Sequence, residues 1–526
     1  MATVQIKSGN ILGTTGKSIK GDTYYKFLGI PYATPPVGNL RFKAPRSVDP
    51  WQDTRDCTKD GNVCLSLNFV TKKIEGSEDC LYLNVHTRAV PSADENPLKA
   101  VLVYIHGGGF TAGTGTEMMA GADLIMTEDV VFVSMNYRLG IFGFLSLEDA
   151  SLGVTGNNGL KDQTFALKWV KENIKNFGGD PDNVTIFGIS AGGASVQFQL
   201  LSPTAKGLFH KAIAQSGSVF NTWSWGQKNA ISIANMLGKT VTSEKEALEV
   251  LMETSAEELA QTALTIPEYI CDGSVRRPFG PVIETPNPEA FLCEDPAELL
   301  RSGRFNQVPL IQGVCQDEGL LVHAKIMPQK DQGYYAKNVL SWNIKKDPAK
   351  APKWQQMLRE LYYPNGVTEE GLIEQMGDIL FNLGVIESTK IMISSAKNPI
   401  FLYMFAYDEK ASDIFKTMIA IDKKGVSHGY DSAYLLSLNH FPMKIEYTPE
   451  DVKAIEVMVG LWSSFARTGK PHLEWEEVTD KDNLRYLRIA GKLEMLSDPF
   501  GERMKVWHEI LEEAGGFDLT NDEIGN

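Results

Sequence analysis

A serine between two glycines follows an apolar run and could attack a carbonyl carbon. Ser190 is the middle residue of Gly188-Ile189-Ser190-Ala191-Gly192, a GxSxG pattern preceded by NVTIF. The pattern alone recurs by chance in long chains, but here strand-like residues precede it and small residues follow it. Such a strand-to-helix turn strains its central residue, exposes the serine oxygen above the sheet edge and places it at a helix start that favours negative charge. The pattern predicts a serine nucleophile; the alternative is a buried serine on a glycine-rich packing turn.

Three consecutive glycines after another apolar run indicate the same chemistry. The segment HGGGF (106–110) follows the strand-like VLVYI. Glycine costs conformational entropy, so three in a row should meet a specific need. Acyl transfer has such a need, because backbone N–H donors must reach the developing alkoxide without obstruction. We expect Gly108, Gly109 and Ala191 to donate these groups. An ordinary glycine-rich turn is the alternative, and His106 has no partner at a spacing useful for a metal.

A serine hydroxyl needs a base to remove its proton before it attacks. In folds built on this strand-to-helix turn, an acid and then a histidine follow the serine along the chain, so the base should lie late and on a loop. Of the eight histidines, His428 lies in the turn-rich segment KKGVSHGYDSAY, and His440, in a polar loop before Phe and Pro, is its rival. His472 and His508 stand in charged surroundings typical of the surface.

The acid that orients this base should lie between the serine and the histidine. The segment VPLIQGVCQDEGLLV (308–322) indicates a strand entering a turn, with Asp317 and Glu318 at its carboxyl edge. Catalytic groups collect at this edge of a parallel sheet. The residues alone do not choose between the two.

The elements that must position these residues alternate between apolar strands and helices. Strand-like runs cover 100–105, 129–137, 183–190 and 399–407, and helical spacing appears at 163–174, 452–469 and 498–514. This alternation indicates an α/β fold with a mostly parallel central sheet and helices on both faces. Residues 1–45 indicate short strands and turns, and 225–300 and 320–395 more polar, mostly helical insertions. Without repeats or a low-complexity linker, residues 1–526 are predicted to form one domain.

Composition limits the class of partner. The chain has 526 residues, 43% of them hydrophobic and 22% charged, and a net charge of −15. This balance is typical of a soluble globular protein, and the negative charge argues against nucleic acid, because phosphate binding needs clustered cations. No stretch approaches the length of a membrane span, and no apolar core of a signal peptide is visible, so we expect a cytoplasmic protein. No metal or cofactor is expected.

Nine segments in a fixed order along nearly the whole chain resemble the type-B carboxylesterase and cholinesterase family. They are FLGIPYATPPVGNLRF, SEDCLYLNV, YIHGGGF, NYRLGIFGFLS, GNNGLKDQ, FGGDPDNVTIFGISAGG, QSGS, DEG and GVSHGYD. The likeness is nearest to insect intracellular carboxylesterases of the α-esterase type. It implies the α/β-hydrolase fold, with helical insertions around an active-site gorge.

The resemblance also implies roles that the residues alone left open. The family's acid is the glutamate of DEG, here Glu318, and its base is the histidine of GVSH, here His428. Ser216, in QSGS, would lie behind the catalytic triad. The chain would then hydrolyse a carboxylic ester through an acyl-enzyme on the serine. A disulfide between Cys57 and Cys80 is implied as well, although it fits poorly with a reducing compartment.

Three positions depart from the family pattern. Ile189 stands where the family usually has a glutamate, Val70 lies where cholinesterases carry a choline-binding tryptophan, and Leu321 stands where they place an aromatic. These losses argue against choline esters and favour an apolar pocket for neutral lipophilic esters, in detoxification or in odorant or hormone turnover. Trp223 resembles the family's acyl-pocket aromatic.

Two other functions use the same sequence features. A scavenger of esters or organophosphates would acylate and then turn over slowly, and the missing carboxylate at Ile189 makes this more plausible. A non-catalytic, neuroligin-like adhesion module would keep the fold but lose a triad residue and gain a signal and a membrane span. The chain keeps all three triad residues. We expect a monomer or a homodimer whose partners are small-molecule esters.

Overall fold

A sheet of 13 strands forms the centre of the computed structural model. The structure describes residues 1–68, 71–89, 97–266, 277–322, 339–341, 343–419, 421–438, 445–472 and 474–519. The strands are β1 Ala2–Ile6, β2 Gly9–Lys17, β3 Thr23–Pro31, β4 Arg55–Asp56, β5 Ser66–Leu67, β6 Ile74–Glu75, β7 Tyr82–Thr87, β8 Lys99–Ile105, β9 Val131–Met135, β10 Gly179–Ile189, β11 Lys211–Gln215, β12 Leu310–Cys315, β13 Ile400–Phe405, β14 Arg485–Ile489 and β15 Leu493–Ser497. Strands β5 and β6 form a separate small sheet.

The strands of the large sheet lie in the order β1-β2-β3-β7-β9-β8-β10-β11-β12-β13-β14-β15, and β4 pairs with β2. Neighbouring strands are parallel from β9 through to β14. The consecutive pairs toward either edge are antiparallel. The carboxyl ends of the parallel strands therefore meet at one edge of the sheet, where open α/β sheets bind their ligands. The mostly parallel sheet predicted from the sequence is confirmed.

Helices flank this sheet. They are α1 Gly140–Phe144, α2 Asn158–Asn173, α3 Ala191–Leu201, α4 Ala230–Met236, α5 Glu244–Glu253, α6 Ala256–Thr265, α7 Pro296–Arg301, α8 Ala351–Tyr362, α9 Glu369–Gly377, α10 Leu383–Ile393, α11 Asp413–Ile419, α12 Pro449–Thr468 and α13 Glu502–Ala514. A π-helical turn, Asp378–Asn382, joins α9 to α10. Helices α4 to α6 and α8 to α10 lie in the two segments predicted to be helical insertions. Within the described ranges, no helix is long and apolar enough to cross a membrane.

Two large hydrophobic clusters share the strands of the sheet. Along β8, Val101 and Val103 belong to one cluster, and Leu102 and Tyr104 belong to the other. Successive side chains of a strand point to opposite faces, so β8 is buried on both of them. Full burial of one such side chain stabilises the fold by about 1.5–3 kcal/mol. This two-sided burial explains why the parallel strands appear in the sequence as continuous apolar runs.

The cysteines pair differently from the prediction. Cys64 and Cys80 form the disulfide, and their Cα atoms lie 4.9 Å apart, within the span of such a bond. Cys57 is a buried free thiol. Its backbone N–H donates to the carbonyl of Leu12 over 2.8 Å, and its carbonyl accepts from the N–H of Leu28 over 2.7 Å. A sulfur forms only one disulfide, and Cys80 is bonded to Cys64, so the predicted Cys57–Cys80 pairing is wrong.

Candidate active site

Ser190 lies at the turn between β10 and α3, at the carboxyl edge of the sheet. Its backbone angles are φ 58° and ψ −122°. For a residue with a side chain this conformation costs about 1–3 kcal/mol. Two backbone hydrogen bonds hold the turn. The N–H of Ser190 donates to the carbonyl of Gln215 over 2.8 Å, and the carbonyl of Ser190 accepts from the N–H of Ala194 over 2.8 Å. The turn presents Ser190 to a cavity of about 290 Å³.

The glycine loop after β8 forms another wall of this cavity. Gly108 has a φ of 109°, and a Cβ atom there would lie 2.1 Å from the carbonyl oxygen of Ala112. Glycine is therefore required at this position. Gly108 and Gly109 line the cavity together with Ser190. Ala191 begins α3, and the first N–H groups of a helix have no acceptor within it. Gly108 and Gly109 thus lie beside Ser190 in the cavity wall, and Ala191 follows Ser190 directly in the chain.

A buried carboxylate contacts the histidine predicted to be the base. Oε2 of Glu318 lies 2.6 Å from Nδ1 of His428. Oε1 of Glu318 accepts hydrogen bonds from the hydroxyl of Ser216 over 2.5 Å and from the N–H of Cys315 over 2.7 Å. Glu318 is only 1% exposed, and a buried charge is costly unless it is hydrogen-bonded. These contacts satisfy the carboxylate, so it can orient the imidazole and balance its positive charge after proton transfer.

The cavity that joins Ser190 and His428 is mostly apolar. Its apolar walls include Met119, Ile189, Trp223, Leu321, Val322, Leu380, Phe381, Phe415, Leu436 and Leu438. The three residues predicted to shape the substrate pocket, Ile189, Leu321 and Trp223, therefore all line it. Of the described residues in its lining, Lys72 and Arg277 carry charge and none is an Asp or Glu. A mostly apolar lining whose described residues include no Asp or Glu suits a neutral ester better than a quaternary ammonium group.

The other candidates from the sequence lie elsewhere. Asp317 accepts a hydrogen bond from the N–H of Val426 over 2.9 Å, so it holds the loop that leads to His428. His472 is exposed. Two positions named from the sequence, the rival base His440 and the cholinesterase-like position Val70, lie outside the described residues.

His106 supports the glycine loop. Its Nδ1 lies 2.8 Å from the carbonyl oxygen of Gly107, and its ring stacks on that of Tyr137 with centroids 4.3 Å apart. Burial lowers the pKa of His106 to about 4, against the opposing effect of the Gly107 hydrogen bond. The ring is therefore neutral at pH 7.

Besides Lys72, two ionisable residues at or beside the cavity were not predicted, Arg277 and Asp431. Nε of Arg277 donates to the carbonyl of Trp223 over 3.1 Å. A Cβ atom on Gly109 would lie 2.4 Å from Nη2 of Arg277, so the guanidinium packs directly on the glycine loop. Asp431 accepts hydrogen bonds from the hydroxyl of Tyr403 over 2.6 Å and from Nε2 of Gln215 over 2.9 Å. Burial raises the pKa of the Asp431 carboxyl, although these hydrogen bonds oppose the shift.

Of these two, only Asp431 had a signal in the sequence, because it lies in the GVSHGYD segment with the histidine. Phe381 was missed as well; its ring contacts that of His428 with centroids 4.2 Å apart and planes tilted by 31°. Arg277 and Phe381 come from segments with no motif, and only the fold brings them to the site.

A sheet that presents a strained serine and a buried histidine–glutamate pair at its carboxyl edge is the architecture of α/β-hydrolase esterases. Comparison with known proteins agrees with this class. The model of the Carboxylesterase family matches residues 1–507, and the chain belongs to this family. It is a carboxylic-ester hydrolase.

Individual relatives cover nearly the whole chain. Esterase E4 of Myzus persicae is 36% identical over 521 residues, which cover 94% of this chain and 90% of E4. Juvenile hormone esterase of Tribolium castaneum is 36% identical over 516 residues, 90% of this chain and 85% of the relative. Among solved structures, juvenile hormone esterase from Manduca sexta, with OTFP covalently attached, has a TM-score of 0.85 at 28% identity and covers 97% of this chain and 99% of its own. These likenesses confirm the predicted family and the α/β-hydrolase fold.

Proposed function

We propose that this esterase hydrolyses neutral, lipophilic carboxylic esters through an acyl-enzyme on Ser190, in detoxification or in odorant or hormone turnover. The observation that supports this most is the shared cavity: Ser190 and the Glu318-paired His428 line one mostly apolar space. The names of the relatives called juvenile hormone esterase favour a hormone ester as one candidate.

In the acylation step, Nε2 of His428 takes the proton of the Ser190 hydroxyl as Oγ bonds to the ester carbonyl carbon. The carbonyl oxygen becomes an oxyanion that accepts hydrogen bonds from the N–H groups of Gly108, Gly109 and Ala191. Each such donor is worth about 3–4 kcal/mol of transition-state stabilisation. When the tetrahedral intermediate collapses, the bond to the alcohol breaks, and the alcohol leaves with the proton from His428.

In the deacylation step, water replaces the alcohol. His428 takes one proton of the water as its oxygen bonds to the acyl carbon. Collapse of the second intermediate breaks the bond to Ser190, the proton returns to Oγ, and the carboxylic acid leaves. Glu318 holds the imidazole in the tautomer that both steps need and balances its charge when it is protonated.

The nucleophile is tested by comparing Ser190→Ala with Ser195→Ala on 4-nitrophenyl esters. Ser195 lies on the same helix, and its Oγ accepts a hydrogen bond from Gln163, so it reports the effect of removing a buried hydroxyl nearby. We expect Ser190→Ala to lower kcat by more than about 1,000-fold and Ser195→Ala to stay close to wild type. Retention of activity in folded Ser190→Ala would contradict the proposal.

The substrate class is tested with esters from acetate to dodecanoate and with choline esters of the same acids. The apolar walls predict that kcat/KM rises with acyl length until the cavity is filled, because each buried methylene is worth about 0.8 kcal/mol. We expect each choline ester to be the poorer substrate of its pair. A preference for choline esters would contradict the proposed substrate class.

A slow-turnover scavenger is the second candidate, and Ile189 is the observation that favours it. No carboxylate stands directly before Ser190 to order the water that cleaves the acyl-enzyme. A burst of 4-nitrophenol followed by a much slower steady state would support the scavenger. Linear product formation with high kcat on several neutral esters would exclude it.

The cytoplasmic location, the monomeric or homodimeric state and the single domain over residues 1–526 also stay proposals. The disulfide Cys64–Cys80 opposes the location, since reducing compartments rarely keep such a bond. Alkylation of intact source cells before lysis tests it. Alkylated Cys64 and Cys80 would support the cytoplasm, and a bridged pair would contradict it.

Sedimentation velocity tests the oligomeric state, and a single cooperative unfolding transition would support one domain.

A further inference from the structure

The π-helical turn Asp378–Asn382 lies beside the active site, and all five of its residues are buried. A π-helical turn is rare and is often found at functional sites. Trp223, which lines the cavity, and the nearby Asn221 hold two of its carbonyls. Nε1 of Trp223 donates to the carbonyl of Leu380 over 2.6 Å, and Nδ2 of Asn221 donates to that of Phe381 over 3.0 Å. The turn is therefore tied to the wall of the cavity.

Phe381, on this turn, contacts the imidazole of His428. The ring centroids are 4.2 Å apart, and the ring planes differ by 31°. Phe381 is 4% exposed and lines the cavity. His428 is therefore held by Glu318 at Nδ1 and by Phe381 against its ring. The face of an aromatic ring attracts a cation, so this contact favours the imidazolium over the neutral ring.

An ion pair between the buried Asp378 and Arg503 anchors the turn. Oδ2 of Asp378 lies 2.9 Å from Nε of Arg503, on α13, and accepts from the hydroxyl of Tyr362 over 2.7 Å. Oδ1 of Asp378 accepts from Nδ2 of Asn382 over 2.8 Å, which joins the two ends of the turn. Nη1 of Arg503 also lies 2.6 Å from Oε1 of Glu374, on α9. These contacts fix the turn to two helices.

Helix α9, which precedes the turn, also packs on the DEG segment that contains Glu318. A Cβ atom on Gly319 would lie 1.9 Å from the carbonyl oxygen of Ile373, in α9. Only glycine permits this approach. The segment that presents Glu318 and the helix that leads to Phe381 are therefore in backbone contact, so their positions around His428 are coupled.

We propose that Phe381 is a positioning residue for His428, which the π-helical turn presents so that its ring restrains the imidazole and stabilises the imidazolium formed at each proton transfer. The proposal rests on the proposed roles of Ser190 and His428. Among the described residues, the titratable groups near His428 include Glu318, Asp431 and the buried Cys315, and His106 and Arg277 line the same cavity. None of them is changed in the Phe381 variants.

The variants Phe381→Leu, Phe381→Met and Phe381→Tyr separate the aromatic face from the volume of the side chain. Each is measured on the 4-nitrophenyl esters of acetate, butyrate and octanoate. Leu and Met should lower kcat by about 3- to 30-fold, and by the same factor for all three esters. The acid limb of the pH profile of kcat/KM should move to lower pH in these two variants, because the imidazolium has lost the aromatic face that stabilises it. Phe381→Tyr keeps the aromatic face, so its kcat and its acid limb should both match those of wild type.

A residue that only shapes the pocket would give a different result. The loss would then appear in KM, would depend on acyl length and would leave the pH profile in place; this pattern, or wild-type kinetics in Phe381→Leu, would overturn the proposal. Titration with an organophosphate separates this failure from that of the proposed function, since each variant should still take one equivalent on Ser190.

The ion pair between Asp378 and Arg503 gives a second test. Asp378→Asn keeps the shape of the side chain but removes its charge, and it should shift the acid limb in the same direction as Phe381→Leu by a smaller amount. A folded Asp378→Asn whose acid limb moves to higher pH would contradict the proposed role of the turn. The Phe381 series decides the proposal even if Asp378→Asn does not fold.

Discussion

The hydroxyl of Ser216 donates a hydrogen bond to Oε1 of Glu318 over 2.5 Å, while the other oxygen of the same carboxylate contacts His428. Ser216 follows β11 and has a φ of 50°, which is strained for a residue with a side chain. Such strain persists only where the surroundings impose it. Both oxygens of Glu318 are thus held, and this fixes the direction from which the carboxylate meets the imidazole.

Ser216→Ala should therefore lower kcat/KM by about 10- to 100-fold with little change in KM, because a hydrogen bond to a charged group is worth about 1.5–3 kcal/mol. Steady-state kinetics on a neutral ester measure this. The matched control is Ser218→Ala, whose hydroxyl donates to Gln197 over 3.1 Å. Equal losses in the two variants would show that the effect is not specific to Glu318.

His106 should make stability depend on pH. Burial lowers its pKa to about 4 in the folded chain, below the value of about 6.5 for an unfolded histidine. Between these values the unfolded state binds more protons, so the stabilisation is complete above about pH 6.5 and is lost as the pH falls toward 4. The free energy of unfolding should fall by about 1–2 kcal/mol from pH 7 to pH 5 through this residue.

Denaturant unfolding of wild type and His106→Phe at both pH values tests this. The phenylalanine ring can keep the stack on Tyr137 but does not titrate. The difference in unfolding free energy between the two pH values should therefore be smaller in the variant. An equal pH dependence in both proteins would contradict the assignment.

Ile189→Glu should move specificity toward cationic esters. It places a carboxylate directly before the nucleophile, in a cavity whose described lining has none. We expect the ratio of kcat/KM for butyrylcholine over 3,3-dimethylbutyl butyrate to rise about 10-fold, since the first carries a charge that its isostere lacks. Ile189→Gln has nearly the same shape without the charge and should leave the ratio unchanged. A similar rise in both variants would assign the effect to shape.

The disulfide provides a prediction about stability. Cys64→Ser should lower the free energy of unfolding by about 3 kcal/mol, as expected for a loop closed across 16 positions, whereas Cys57→Ala breaks no covalent link. Peptide mapping without reduction should recover a linked Cys64–Cys80 fragment and Cys57 as a free thiol. A Cys57–Cys80 fragment would contradict the structure.

The parts of the site that depend on local sequence could be predicted. The strand before Ser190 appears in the sequence as an apolar run because it is buried on both faces. The glycines after β8 can be recognised because they are consecutive in the chain. Local sequence does not show whether Asp317 or Glu318 is the acid, because both lie at the same edge of the sheet. Asp317 meets the backbone of Val426 and Glu318 meets His428, a distinction that depends on the geometry of one turn. The family resemblance is what identifies Glu318 as the acid.

The remaining features depend on contacts between distant segments. Arg277 and Phe381 reach the site only through tertiary packing, and no periodicity or motif marks them. The cysteine pairing implied by the family resemblance was wrong. The partner of Cys80 is Cys64, and Cys57 is a buried free thiol whose backbone bonds to Leu12 and Leu28.

The central claim is that Ser190 is the nucleophile, and covalent labelling tests it most directly. The folded protein is treated with diethyl 4-nitrophenyl phosphate, and the adduct is located by peptide mass spectrometry. We predict one diethylphosphoryl group per chain, attached to Ser190, with release of one equivalent of 4-nitrophenol and no label in Ser190→Ala. A folded, active sample that takes no label, or that is labelled at another residue, would contradict the account.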